Sequence, residues 1–220
     1  RKEPRERKPQ GISVALAKKM ARRLGVNPVF HMFDSAGTVF EAVPHCVVDL
    51  MFLAIDPVRS TEILFTAPYV VIEGTYLVRN DSPLQTVADF DQDGVRIAVG
   101  KGAAYDLFLS RALHHATLVR APTSATAIDL FAKEGLDAAA GVRQPLQAYA
   151  AAHAGFRVIE GRFTVIEQAV GVPKNHAEAR AWLQTFIEEA KASGFVDDAL
   201  NASGQTAATV APAWPSWPDV

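Results

Sequence analysis

Cysteine is nearly absent: Cys46 is the only one in 220 residues. No intrachain disulfide can form, and the position of Cys46 just before an apolar run marks it as a buried, inert thiol. Long apolar runs are also missing, and none approaches the roughly 20 residues that a membrane-spanning helix needs. No signal-type segment opens the chain. Excess charge of one sign is lacking as well. Lys and Arg number 22 against 24 Asp and Glu, a formal net charge of −2, so no global field draws the molecule to nucleic acid or anionic lipid. Metal and catalytic signatures do not occur. His31 and His45 are isolated, His114 and His115 are adjacent, and none has the spacing of a metal site. There is no Gly-x-Ser-x-Gly elbow. Gly100-Lys101-Gly102 lacks the Gly-Lys-Ser/Thr ending of a phosphate loop. The reading is therefore of no catalytic residue, no metal and no cofactor.

What is present is an ordinary globular composition, 49% hydrophobic and 21% charged. Arg1–Gln10 is a charged, proline-containing arm expected to be solvated. Beyond it, helical and extended patterns alternate. Ile12, Leu16, Met20 and Leu24 recur every four residues and predict a helix that ends at Gly25. Strands are expected at Val29–Phe33 and Val47–Leu53, with a short helix at Thr38–Val43 between them. Further on, strands at Val95–Val99, Thr117–Val119, Asp137–Ala140 and Val158–Ile159 alternate with helices at Ala103–Leu113, Ser124–Lys133 and Gln144–Ala152. Thr164–Val172 is extended, and Asn175 with Glu178 reads as a capping box opening a long helix that stops at Gly194. The tail carries Pro212, Pro215 and Pro218 with Trp214 and Trp217, which forbids a regular helix and suits packing on the body. Two α/β units thus lie on either side of Tyr69–Thr75, and the chain returns to the first near Ile166–Val170. Two such crossings make a natural hinge. The expected boundaries are residues 1–73 for the first part of the first lobe, 74–166 for the second lobe, and 167–220 for the return to the first lobe, the C-terminal helices and the Pro/Trp tail.

The most informative stretch is Asp49–Tyr69, DLMFLAIDPVRSTEILFTAPY. An apolar strand runs out at Ala54-Ile55, Asp56-Pro57 follow, and Arg59 stands just past them, well placed to fork a carboxylate. This segment resembles the signature of bacterial extracellular solute-binding proteins of family 3, the polar amino acid type: Asp-Leu at a strand start, Thr-Pro-Glu-Arg, then Phe-Ser-x-Pro-Tyr. Gly11–Ala17, Ser82-Pro83-Leu84, Val87–Phe90 and Ala192–Phe195 resemble further family segments in the same order. The resemblance implies an α/β, two-lobed periplasmic-binding-protein-like fold of type II, with two α/β sheets joined by a two-strand hinge. It also implies a strand before Gly11, where this chain has only the basic arm, so the first strand of the first lobe is missing.

In function, the resemblance implies a periplasmic, monomeric solute-binding protein of an ABC importer, its signal peptide removed. Its partners would be a small carboxylate-bearing ligand and the transporter's membrane subunits, with no nucleic acid. Arg59 and Ala54 would meet the ligand from the first lobe, and backbone N–H groups at Gly102, Ala103 and Ala104 would meet the carboxylate from the second. Arg59 could instead be a surface residue paired with Glu62. Asp56 stands where the family has Thr; it accepts a ligand ammonium or holds Arg59. Ala103 stands where the family has a hydroxyl, and no aromatic stands at Ala36 where the family stacks one, although Phe33 and Phe40 are close and read as core. Arg143 replaces the aspartate that pairs with an α-amino group. Either the ligand carries a second acid or its amine is held by Asp56, Glu73 or Glu167, unless Arg143 points to solvent. Glu73, Glu167 and Gln168 fall in the crossings and would floor the cleft. Alternatives are a dehydratase-like enzyme using Arg59 with Glu73 or Glu167 as general acid, or the ligand-sensing domain of a receptor.

Overall fold

The structure is a computed structural model, and it describes residues 9–45 and 48–214. Most of the arm, Cys46, Val47, Pro215, Trp217 and Pro218 lie outside the described residues. In chain order the elements are α1 (Ile12–Leu24), α2 (Ala36–Ala42), β1 (Met51–Ala54), β2 (Ile63–Phe65), β3 (Val70–Arg79), β4 (Arg96–Gly100) and α3 (Ala104–Ala112). Then come β5 (Thr117–Ala121), α4 (Ser124–Glu134), β6 (Ala138–Val142), α5 (Arg143–Ala152), β7 (Phe156–Val158), β8 (Thr164–Pro173), α6 (Ala177–Ala192), α7 (Phe195–Ala202) and β9 (Thr209–Val210).

The two expected sheets are continuous through β3 and β8. The strand order is β1-β8-β3-β6-β4-β5, with β2 on β8, and β7 and β9 on β3. Each long strand divides its length between two sets of partners. The first half of β3 pairs antiparallel with the first half of β8, Val70 opposite Gln168 and Gly74 opposite Thr164. The second half of β3 pairs with β6 and β7. The second half of β8 pairs with β1 and β2. These two strands are thus the only ladder shared by the lobes among the described residues, the place where a hinge is cheapest.

Each lobe wraps the sheet on both faces, which is why strands such as β4 and β6 are almost wholly apolar. In the second lobe Ile97 and Val99 of β4 pack with Tyr105 and Leu109 of α3, while Ala98 between them packs with Ala127 and Phe131 of α4. Tyr76 and Phe90 stack beneath, ring centroids 3.8 Å apart. In the first lobe Val170 and Val172 of β8 pack with Leu16 of α1, Phe186 and Ile187 of α6 and Leu200 of α7. On the opposite face Met51, Leu53 and Ala169 pack with Ile63 and Phe65.

Two expectations are corrected. Val29–Phe33 is not a strand; residues 26–33 have no regular structure, with Val29 80% and Met32 72% exposed. A strand needs a neighbour, and among the described residues β1 pairs with β8 alone, leaving its other edge open. Asn175 does not cap α6. The chain enters through a 3-10 turn at Lys174–His176, the cap falls on His176, and no side chain caps the helix. The tail packs on the body as far as it is described: β9 pairs with Val70-Val71, and the Trp214 amide donates to Glu188 at 3.1 Å.

Candidate functional site

The segment from Ala54 to Arg59 is held by its own backbone. The Ile55 amide donates to the Glu167 carbonyl at 2.9 Å, tying the end of β1 to β8. Asp56 Oδ1 accepts from the Val58 amide at 2.8 Å, the local turn that Asp favours. A 3-10 turn then swings Arg59 inward, where it is 1% exposed. Arg59 Nη1 donates to the Ala54 carbonyl and Nη2 to the Gly102 carbonyl, each at 2.9 Å. Its Nε has no partner among the described residues. Burial lowers the Arg59 pKa and the nearby Asp56 charge opposes that shift; a guanidinium so basic stays a cation at neutral pH. The surface pairing with Glu62 does not occur. Asp56, 4% exposed, forms an ion pair at 2.9 Å with Arg111 on the last turn of α3, a partner that no local pattern singles out.

The second-lobe loop differs from expectation in what it presents. Two of the three expected amides are engaged internally: Gly102 N–H donates to Asp106 Oδ2 and Ala103 to the Gly100 carbonyl, as Gly100 does to Tyr105 Oη and Lys101 to the Ala121 carbonyl, while the Ala104 amide at the start of α3 has no partner among the described residues. What faces Arg59 is the Gly102 carbonyl, so the loop offers the guanidinium an acceptor where donors to a carboxylate were expected. Gly102 has φ +73°, and a Cβ there would lie 2.9 Å from Gly37 Cα in the first lobe. Only glycine meets both conditions. Ala54, Ala103, Ala104 and Ile166 share one apolar cluster, so small side chains bring the lobes into direct contact.

The crossing residues form a separate constellation. Arg143 Nε donates to Glu73 Oε2 at 2.6 Å, Arg162 to Oε1 at 2.8 Å, and Arg143 also reaches the Gly161 carbonyl. The structure therefore brings Arg143 to Glu73 and not to Arg59, and the solvent-facing alternative does not hold. The Arg143 hydrogen bond, aided by Arg162, holds the Glu73 pKa below the usual carboxylate range. Such a pair adds stability above the unfolded-state pKa, about 4.3, and loses it as pH falls through the lower folded value. Glu73→Gln should thus cost up to about 1 kcal/mol near pH 7, Glu73 being 30% exposed. In thermal melts the gap from wild type should narrow as pH falls below the unfolded-state pKa of about 4.3; a gap that does not change with pH would refute the charge role. Glu167 is different. Desolvation raises its pKa, and its carboxyl has no partner among the described residues.

Two cavities flank these groups. One of about 500 Å³ lies between the lobes, lined by Asp34, Ser35 and Ala36 on one side and Lys101, Thr123 and Ser124 on the other. One of about 290 Å³ is lined by Glu73, Arg143, Gln144 and Gln205. Among the described residues no group of His, Cys, Asp and Glu is placed to hold a metal ion, and no helix is long and apolar enough to cross a membrane.

Comparison with known proteins adds the following. Residues 2–202 match the family described as bacterial extracellular solute-binding proteins, family 3. No curated protein matches at a significant level. Among solved structures, the P235GK mutant of ArgBP from T. maritima is 23% identical, with 89% of this chain and 85% of that one covered at a TM-score of 0.74. The amino acid ABC transporter substrate-binding protein AbpA from Streptococcus pneumoniae, bound to L-arginine, is 21% identical, with 89% and 84% covered at 0.75. The ancestral amino acid-binding protein AncCDT-1, a precursor of cyclohexadienyl dehydratase, is 23% identical, with 87% and 84% covered at 0.73. At these identities the likeness is one of fold.

Proposed function

The chain belongs to the bacterial extracellular solute-binding proteins, family 3, and from that membership we propose that it is the solute-binding component of an ABC importer. It closes around a small carboxylate-bearing solute, an amino acid or related organic acid, and delivers it to the transporter's membrane subunits from the periplasm as a monomer. The lobes divide at residues 1–73, 74–166 and 167–220. The observation that carries this reading is Arg59: a guanidinium 1% exposed, held by carbonyls from both lobes, with a free Nε and no carboxylate forked on it among the described residues. A buried cation whose only direct partners are neutral acceptors is incompletely compensated, and a ligand carboxylate supplies the missing charge. The ligand set is Ala54 and Arg59 with the Gly102–Ala104 loop; Asp56 is committed to Arg111 and stays outside it. Glu73 and Arg143 satisfy each other and are left out of it. Of the crossing acids, Glu167 is free to meet an amine.

A thermal-shift screen of amino acids, dicarboxylates, monocarboxylates and matched amines tests the proposal. A ligand at 100 times its Kd adds about 2.7 kcal/mol, or roughly 5–10 °C for a chain of this size. Shifts confined to compounds bearing a carboxylate support the reading; shifts produced by amines alone overturn it. Turnover is the second reading, favoured by the desolvated Glu167 carboxyl as a proton donor and by the likeness to the dehydratase precursor. Product analysis of each stabilising acid separates the two: recovery of the acid unchanged means binding alone.

A further inference from the structure

Helix α3 is fastened to the Ala54–Arg59 loop at both of its ends. Just before its first turn the Gly102 carbonyl accepts from Arg59, and on its last turn Arg111 pairs with Asp56. The nine residues of α3 span about 13 Å, so these contacts restrain sliding and rotation together. Between them, Ala54 packs in one apolar cluster with Ala103 and Ala104. Every partner on one side belongs to the first lobe, and every partner on the other to the second.

We propose that α3 and the Ala54–Arg59 loop form a latch that holds the lobes closed without ligand, with Arg111 as its switchable element and the Gly102 carbonyl as an internal stand-in for ligand on Arg59. This rests on Arg59 being the ligand's partner. The two contacts contribute differently. The Gly102 carbonyl is the part a ligand carboxylate displaces, because Arg59 Nη2 cannot serve both fully. The Asp56–Arg111 pair survives that exchange and sets how much of the molecule is closed beforehand. Asp56 is nearly inaccessible while Arg111 is 43% exposed. Removing Arg111 therefore leaves a buried carboxylate with no direct cation, a penalty relieved when the lobes part and water reaches it. The exposure of Arg111 also opens part of the pair's strength to salt screening.

The test is the interlobe distance in ligand-free protein, measured between spin labels at Glu41→Cys on α2 and Ala125→Cys on α4, in a Cys46→Ser background. The protein is unfolded and refolded beforehand to strip any bound solute. A short-distance population is expected in the parent. It should fall about tenfold relative to the open form in Arg111→Ala, persist in Arg111→Lys, and shrink in the parent at 1 M salt. Identical distributions in the parent, Arg111→Ala and Arg111→Lys would overturn the latch, as would a parent wholly open. No ligand enters this measurement, so a failed latch and a failed carboxylate reading give separate results: the first appears in the distances, the second in the thermal-shift screen.

Discussion

Arg59→Met is expected to raise the Kd of the cognate carboxylate about 100-fold or more, with ligand-free stability close to wild type. Removing one partner of a forked guanidinium–carboxylate pair costs about 2–5 kcal/mol, because the other charge is left desolvated; each 1.4 kcal/mol is tenfold in Kd. Methionine is the informative substitution because Arg59 is among the largest fully buried side chains, and truncation to alanine would confound the missing charge with a cavity. In the ligand-free molecule two effects oppose each other. The Ala54 and Gly102 carbonyls lose their donor, but the desolvation that depresses the Arg59 pKa disappears. Arg59→Lys keeps the charge as a single point and loses the fork, so it should retain part of the affinity, falling about tenfold. Isothermal calorimetry with whichever acid stabilises the wild type decides it. A Met variant binding within about threefold of wild type would reject Arg59 as the carboxylate partner.

How much of the fold and site is legible in the sequence depends on the range of the interaction. Burial on both faces prints short, largely apolar runs, so β4 and β6 are readable to within one or two residues from Val95–Val99 and Asp137–Ala140. Arg59 is readable because its setting is local: strand end, turn and arginine lie within a few residues, and Asp56 acts on the adjacent Val58 amide. The segment Val29–Phe33 has strand composition but no strand, because pairing is a property of two segments and its neighbour is lacking. Arg111 is invisible for a related reason. On an amphipathic helix a charged residue reads as a solvated face, and nothing local distinguishes the one arginine that meets Asp56 across the cleft. Arg143 stands out as a departure from the family pattern, but its partner Glu73 is 70 residues away in the chain, and only the crossing strands bring the two together. Of the C-terminal helices, α7 has bounds the sequence does not mark, because it is short and follows Gly194 directly; its apolar residues Val196 and Leu200 join the cluster that holds β8 and α6.

Gly37→Leu is expected to prop the lobes apart and weaken ligand binding by up to about 100-fold without destabilising the fold. Gly37 lies in the first turn of α2, and its backbone is not in the left-handed region, so a side chain costs the helix nothing and improves its propensity by up to about 1 kcal/mol. The obstacle lies across the cleft. A Cβ at Gly37 would stand 3.0 Å from the Lys101 carbonyl and 3.4 Å from Gly102 Cα. Both are backbone atoms of the strand-to-helix turn before α3, whose amides are already committed within the second lobe. They cannot step aside as a flexible side chain would. Alanine adds only the Cβ and can be absorbed by a few tenths of an ångström, whereas leucine reaches further into the same space, where overpacking costs about 1–3 kcal/mol. Because Arg59 and the Gly102 loop meet only when the lobes touch, that cost falls on the closed form alone and shifts the hinge equilibrium toward the open one. The ligand-free Leu variant should therefore show a larger radius of gyration by small-angle scattering, with Ala intermediate and an unchanged or slightly higher melting temperature for both. Wild-type dimensions in the Leu variant would mean that the approach of Gly37 to Gly102 does not limit closure. Wild-type affinity in an expanded Leu variant would mean that the ligand is held by one lobe, and the two-sided site built on Arg59 would have to be abandoned.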